Sequence, residues 1–320
     1  MKPEIEAEIQ RQMTCFEPVY EDPGGYVNDH CFVAREGEVH LFHITGMPGK
    51  GPYVEGNEVS FGHAVSRDLR QWEARPECLR YDPSRRWEAD HIFAPYVFRN
   101  KEEYFMFYAG INFTEKVERM CLATSDDLET WAKHPFNPIF VPSRSWAQWD
   151  VKSPIWGCCR DPHVVAHPDY GFILYYVTWL KGGQDLVAIG TAVSDDLVHW
   201  QDAGPALVRQ RAWDFSTTSM ESPCVVARGG RYFLFYKHQN ETRVVASEDP
   251  LRFTGKHDRF FSIAHAAEVF EVRGEWFVSH CSAPLGDPEN RQGRTRGLWL
   301  ARVHWRANDG MPEVRKFGDA

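Results

Sequence analysis

Asp29, Asp161 and Glu221 stand at matching distances before aromatic-rich apolar runs. Glu221 lies thirteen residues before Leu234, Asp161 thirteen before Leu174, and Asp29 twelve before Leu41, a difference one turn residue absorbs. The same count reaches Phe93 from Met106 and His265 from Val278. If the runs are equivalent strands, these five side chains converge. Carboxyls crowded into one small space raise each other's pKa, and desolvation adds to this, so such a cluster marks a functional-site candidate. A pair of acids is what cleavage of a glycosidic bond requires: one protonates the leaving oxygen, the other attacks the anomeric carbon or activates water. Taken singly, each acid is as readily a turn residue or a ligand of a structural cation. Three at one register make a stronger pattern.

The runs that must position them recur. They are Val39–His43, Tyr104–Tyr108, Phe172–Tyr176, Tyr232–Tyr236 and Trp276–His280, often preceded by turn residues such as Gly229-Gly230 or Arg273-Gly274. Each is followed by a further apolar run and a shared phrase: Ser66-Arg67-Asp68-Leu69 to Trp72, Ser125-Asp126-Asp127-Leu128 to Trp131, and Ser194-Asp195-Asp196-Leu197 to Trp200. A weaker copy closes at Phe253, and a worn fifth at Trp305. Their Asp residues read as turn-formers, because every repeat has one. A unit of this size cannot bury both faces alone and must stack in a ring. The expectation is an all-β fold, a five-bladed β-propeller forming one catalytic domain. Its blades fall near 26–72, 90–131, 160–200, 221–253 and 265–305, after an extension (1–25) with a short helix over 4–13. Segments 44–58, 73–89, 132–159, 201–220 and 281–296 read as long loops walling one end of the ring.

Bulk composition narrows the partners. The 320 residues carry 36 Lys and Arg against 45 Asp and Glu, a net charge of −9, which argues against nucleic acid. Twelve Trp, 12 Tyr and 21 Phe suit sheet and flat ligands such as sugar rings. No apolar run reaches the length needed to span a bilayer, and residues 1–14 lack an apolar signal core. A cytoplasmic protein with reduced thiols is expected. The eight Cys form no C-x-x-C pair, so a zinc or redox site is not expected, and the geometry of a disulfide argues against bridging adjacent Cys158 and Cys159. No cofactor is expected, although the central channel could hold a structural cation. The oligomeric state is left open.

The motifs resemble those of the five-bladed propeller glycoside hydrolases, families 32, 68 and 43, over about residues 25–305. Tyr26-Val27-Asn28-Asp29 resembles the motif that carries the nucleophile in family 32. Arg160-Asp161-Pro162 is similar to the Arg-Asp-Pro motif whose Asp stabilises the transition state, and Glu221-Ser222-Pro223 to the motif whose Glu is the acid/base. The Phe61-to-Trp72 segment is similar to blade one of family 32, and Phe93-Ala94-Pro95 to a family 43 motif. The sequence departs at His30-Cys31-Phe32, at Ile44, in lacking Phe-Ser-Gly-Ser, and in lacking a C-terminal β-sandwich. The resemblance implies a hydrolase acting on a terminal furanoside of a small oligosaccharide, with Asp29 as nucleophile, Asp161 as stabiliser and Glu221 as acid/base. Asn28, Arg160, Asp90, His91, Trp87 and His265 are expected at the substrate, with His265 alternatively on a channel cation. Trp146, Trp149, Trp156, Trp179 and Trp213 are further stacking candidates, though core packing suits each as well. Still open are an inverting family 43-like arabinofuranosidase, xylosidase or galactofuranosidase, a mannoside phosphorylase, and a non-catalytic sugar-binding propeller.

Overall fold

A computed structural model describes residues 3–151, 153, 155–182, 186–210, 220–238, 241–255, 258–281 and 297–318. Helix α1 (Pro3–Gln12) and strand β1 (Glu17–Tyr20) come first. Blade one is β2 (Tyr26–Arg35), β3 (Glu38–Gly46), β4 (Ser60–Ser66) and β5 (Trp72–Arg80). Blade two is β6 (His91–Asn100), β7 (Glu103–Asn112), β8 (Val117–Ser125) and β9 (Ala132–Lys133). Blade three is β10 (Arg160–His167), β11 (Gly171–Trp179), β12 (Leu186–Ser194) and β13 (Gln201–Gln210). Blade four is β14 (Glu221–Arg228), β15 (Arg231–His238), β16 (Glu241–Ser247) and β17 (Arg259–Ser262). Blade five is β18 (Val269–Val272), β19 (Glu275–His280), β20 (Leu298–Trp305) and β21 (Pro312–Arg315). Each blade is an antiparallel sheet in chain order, and β1 joins the fifth by pairing with β20 beside β21. The five-bladed propeller is therefore present, and its ring is closed by the start of the chain.

The second strands read as unbroken apolar runs because both their faces are buried. In β11, Ile173, Tyr175 and Val177 pack towards blade four, while Leu174 and Tyr176 pack towards blade two. This is period-two alternation with two cores instead of one core and solvent. Similar clusters fill the seams between blades one and two, four and five, and five and one. Helix α1 packs Ile9 and Met13 against the seam of blades four and five, and Gln12 bonds the Phe261 carbonyl and the Ile263 amide there. No helix among the described residues is long and apolar enough to cross a membrane.

The recurring phrases are turns, as expected. Asp68 Oδ1 accepts the Arg70 and Gln71 amides, Leu69 takes a left-handed φ of 64°, and Trp72 Nε1 donates to the Leu69 carbonyl at 3.1 Å. Blades two and three repeat this at Asp127 and Asp196. Four expected loops are in part strands: 44–46 ends β3, 132–133 forms β9, and the outermost strands β5 and β13 take in 73–80 and 201–210. These outermost strands expose one face and carry Glu, Arg, Asp and Pro there, so they lack the apolar pattern of the inner ones. All eight cysteines are free thiols.

Candidate active site

The first strand of blades one to four breaks its ladder at one place. The register of β2, β6, β10 and β14 slips at Val27/His30, Phe93/Tyr96, Arg160/His163 and Glu221/Cys224. Pro95, Pro162 and Pro223 sit inside the slip, where a missing N–H forbids continuous pairing. Ala94, Asp161 and Ser222, with Ala266 at the matching place in blade five, take left-handed φ values of 52°, 54°, 51° and 49°. Non-glycine residues held there store strain, which tends to gather at functional sites.

This bulge corrects the register inferred from sequence. Phe32, Val97, Val164, Val225 and Val269 face the preceding blade and serve as a common origin. Four positions before them stand Asn28, Phe93, Arg160, Glu221 and His265; three before stand Asp29, Ala94, Asp161, Ser222 and Ala266. Asp29 and Asp161 are thus equivalent, and Glu221 lies one residue nearer the start of its strand. The shift in blade three comes from the β10–β11 turn, which has three residues where the β6–β7 and β14–β15 turns have two. In blade one a uniform count of thirteen from Leu41 reaches Asn28, not Asp29. Of the five side chains expected to converge, Asp29 and Asp161 line an axial cavity of about 30 Å³, walled by Ala94, Ser222, Ala266 and the residues that follow each of them, whereas Phe93, Glu221 and His265 do not line it.

Two cations are threaded among the acids. Arg160 reaches Glu221 at 3.1 Å, Glu118 at 3.3 Å and Asp161 at 3.6 Å. Lys237, the cross-strand partner of Glu221, meets its other oxygen at 2.9 Å. Asp161 Oδ2 also accepts the Ser222 amide at 2.9 Å. Burial, then Asp161, Glu221 and Glu58, push the Asp29 carboxyl well above the usual carboxylate range, with Lys237 opposing. Asp161 is pushed up to about 6, first by burial and then by Glu221, against the pull of Arg160 and the Ser222 amide. Glu58 accepts hydrogen bonds from Tyr26 Oη at 2.6 Å and Asn28 Nδ2 at 3.0 Å, which anchors the residue next to Asp29.

The other expected site residues divide. Asp90 caps a loop by accepting the Phe113 amide at 2.7 Å. His91 is buried, bonded to the Asn57 carbonyl and packed on Phe113. Trp87 packs into the seam of blades one and two. Those positions are structural in their contacts. His265 holds the place of Glu221 in blade five but does not line the axial cavity, which Ala266, Ala267 and Glu268 wall instead. Trp146 bonds Asp202 and Trp149 the Glu118 carbonyl, both packing roles. Trp156 donates to Glu118 Oε1 at 3.1 Å, one step behind Arg160. Trp179 packs at the seam of blades three and four, and Trp213 lies outside the described residues.

Sequence reasoning missed Glu58, Glu118, Lys237 and Tyr53. Lys237 was visible as a cation ending an otherwise apolar run, directly across the hairpin from Glu221. Tyr53 is 60% exposed and meets Phe93 and Phe113 edge-on or tilted, in a chain of rings that continues to Trp156. Nothing in its local sequence marks it.

The elevated Asp161 carboxyl makes stability depend on pH. The folded protein holds this proton up to about pH 6, whereas an unfolded Asp releases it near 3.8. The group's contribution is therefore fully present below about pH 4 and is lost as pH rises through 6, by about 3 kcal/mol in all. Asp161→Asn should escape that loss. In urea denaturation its stability relative to the parent protein should be greater near pH 8 than near pH 5. A difference that stays constant between the two would contradict a buried, proton-holding Asp161.

Comparison with known proteins agrees with this layout. Residues 20–189 match the glycosyl hydrolases family 32 N-terminal domain, and the chain belongs to that family. "Beta-fructofuranosidase 1" of Zea mays is 28% identical over 158 residues, which are 47% of this chain and 22% of that protein. The chain thus spans under a quarter of that relative's length. The fold is similar to fructan 1-exohydrolase IIa from Cichorium intybus in complex with 1-kestose, with a TM-score of 0.72 at 15% identity, covering 94% of this chain and 60% of the other. It is also similar to a family 43 enzyme from Xanthomonas citri, with a TM-score of 0.66 at 16% identity and 98% of both chains covered.

Proposed function

We propose that the protein hydrolyses a terminal furanoside, of β-fructofuranoside type, from a small oligosaccharide. The observation that carries this reading is the set of three carboxyls gathered by the bulges of blades one, three and four in a family 32 chain. Asp29 attacks the anomeric carbon. Glu221 gives its proton to the leaving oxygen and then takes one from the water that releases the sugar. Asp161, pinned by the Ser222 amide and Arg160, orients the ring hydroxyls and favours positive charge at the anomeric carbon. Lys237 and Arg160 each hold one oxygen of Glu221. Tyr53 offers an exposed aromatic face for a sugar unit.

The deciding experiment incubates the protein with sucrose, 1-kestose and a panel of aryl furanosides and pyranosides, following the first-formed anomer by NMR. Release of fructose with retained configuration is expected. Release of only pentose or galactofuranose with inversion transfers the chain to the second class of mechanism, and no release from any substrate overturns the hydrolytic reading.

A further inference from the structure

One place deeper than the bulge, the first strands contribute a second ring: Cys31, Tyr96, His163, Cys224 and Glu268. Tyr96 and Glu268 line the inner end of the axial cavity. Tyr96 Oη donates to the Val164 carbonyl at 3.1 Å. His163 differs. It is 4% exposed, and its Nε2 lies 3.1 Å from the Val225 carbonyl oxygen. A carbonyl only accepts, so Nε2 carries the hydrogen and Nδ1 carries a lone pair. That Nδ1 is buried without a hydrogen-bond partner and stands 3.8 Å from Glu268 Oε1. Cys224, 1% exposed, completes the group, and its Sγ receives the Val269 N–H at 3.3 Å.

We propose that His163 Nδ1, Cys224 Sγ and a Glu268 carboxylate oxygen form a binding site for a zinc-type divalent cation at the hub of the propeller. Their ligand atoms lie within 4.8 Å of one another. Mixed nitrogen, thiolate and carboxylate donors select zinc-like ions over calcium or magnesium, which take oxygen. Tetrahedral zinc with bonds of about 2.0–2.3 Å needs donors roughly 3.3–3.8 Å apart, so the His163–Glu268 pair is nearly in place. The Val225 carbonyl on Nε2–H is the usual outer partner of a metal-bound histidine, and the Val269 amide serves the sulfur in the same way. Binding releases the protons of the Cys224 thiol and the Glu268 carboxyl to solvent and forms the metal–sulfur and metal–oxygen bonds, with no redox change. The three donors come from blades three, four and five, so the ion ties those blades together. The cluster His40–His63–Glu129 lacks this character: its two imidazoles already bond each other at 2.9 Å, and its carboxylate is exposed. The inference does not depend on the hydrolytic reading.

Cobalt(II) is the probe, because a thiolate ligand gives it an intense near-ultraviolet charge-transfer band. The metal-free protein should take up one equivalent of cobalt with that band, and zinc should displace it. Zinc should also raise the thermal midpoint, and a chelator should reverse the rise. Cys224→Ser should keep the fold and lose the band, while Glu268→Gln, which keeps the thiol, should weaken cobalt uptake at least about tenfold. Absence of the band in the parent protein, its persistence in Cys224→Ser, or unchanged uptake in Glu268→Gln overturns the site.

Discussion

Asp29→Asn and Glu221→Gln should each lower turnover at least about a thousandfold, the range expected for a lost nucleophile or proton donor if the proposed roles hold. The two losses differ in kind. Glu221→Gln removes the proton that the leaving oxygen needs, so an aryl glycoside with an acidic phenol should recover much of the first step, whereas sucrose should not. A small external anion should then speed release of the sugar, because it needs no general base to attack a glycosyl–enzyme. Asp29→Asn forms no such intermediate and should respond to neither change. Both variants should fold, and Asn at position 29 should if anything stabilise the protein at neutral pH, since it removes an acid whose ionisation burial and neighbouring carboxyls oppose. Turnover resembling the parent's in either variant would remove that residue's role. Equal responses of both to leaving group and anion would remove the division of labour between them.

What the sequence made legible was the ring and the three acids, because both rest on repetition. A propeller repeats its strands, so the Ser66, Ser125 and Ser194 phrases and the aromatic runs announce the blade number. The acids stand out by their offset from those runs. What it hid depends on contacts between blades. Glu118, at the start of β8 in blade two, reaches Arg160 in blade three, and no spacing along the chain predicts that. The offset of Asp161 was misread for a local reason, one extra residue in the 168–170 turn. Asp90 and His91 fall near the acids in sequence, yet their side chains serve Phe113 and Asn57, since a loop with buried backbone must find partners for it. The choice of sugar, like Tyr53 in the loop joining β3 to β4 within blade one, depends on connections where the repeat says nothing.

The cations decide whether so many acids can share one site. Asp29, Asp161, Glu221, Glu58 and Glu118 are five carboxyls, against Arg160 and Lys237, so the site holds excess negative charge unless protons are retained. Arg160 touches three of the five and is largely buried. Removing one partner of a buried ionic group leaves uncompensated charge and costs about 3–5 kcal/mol. Arg160→Gln should therefore lose that much stability near pH 8, where Asp161 is asked to ionise, and turnover should fall with it. The loss must shrink towards pH 5. Without the guanidinium, Asp161 holds its proton to a still higher pH than about 6, so near pH 5 it no longer presents a charge to compensate. Arg160→Lys should restore part of the stability but little of the turnover, because an ammonium cannot bridge Glu118, Asp161 and Glu221 with a planar fork. Denaturation of the three proteins near pH 5 and pH 8 measures this. A cost for Arg160→Gln that is the same at both would mean that the residue matters for its packing, and that the acids are kept together by something other than charge.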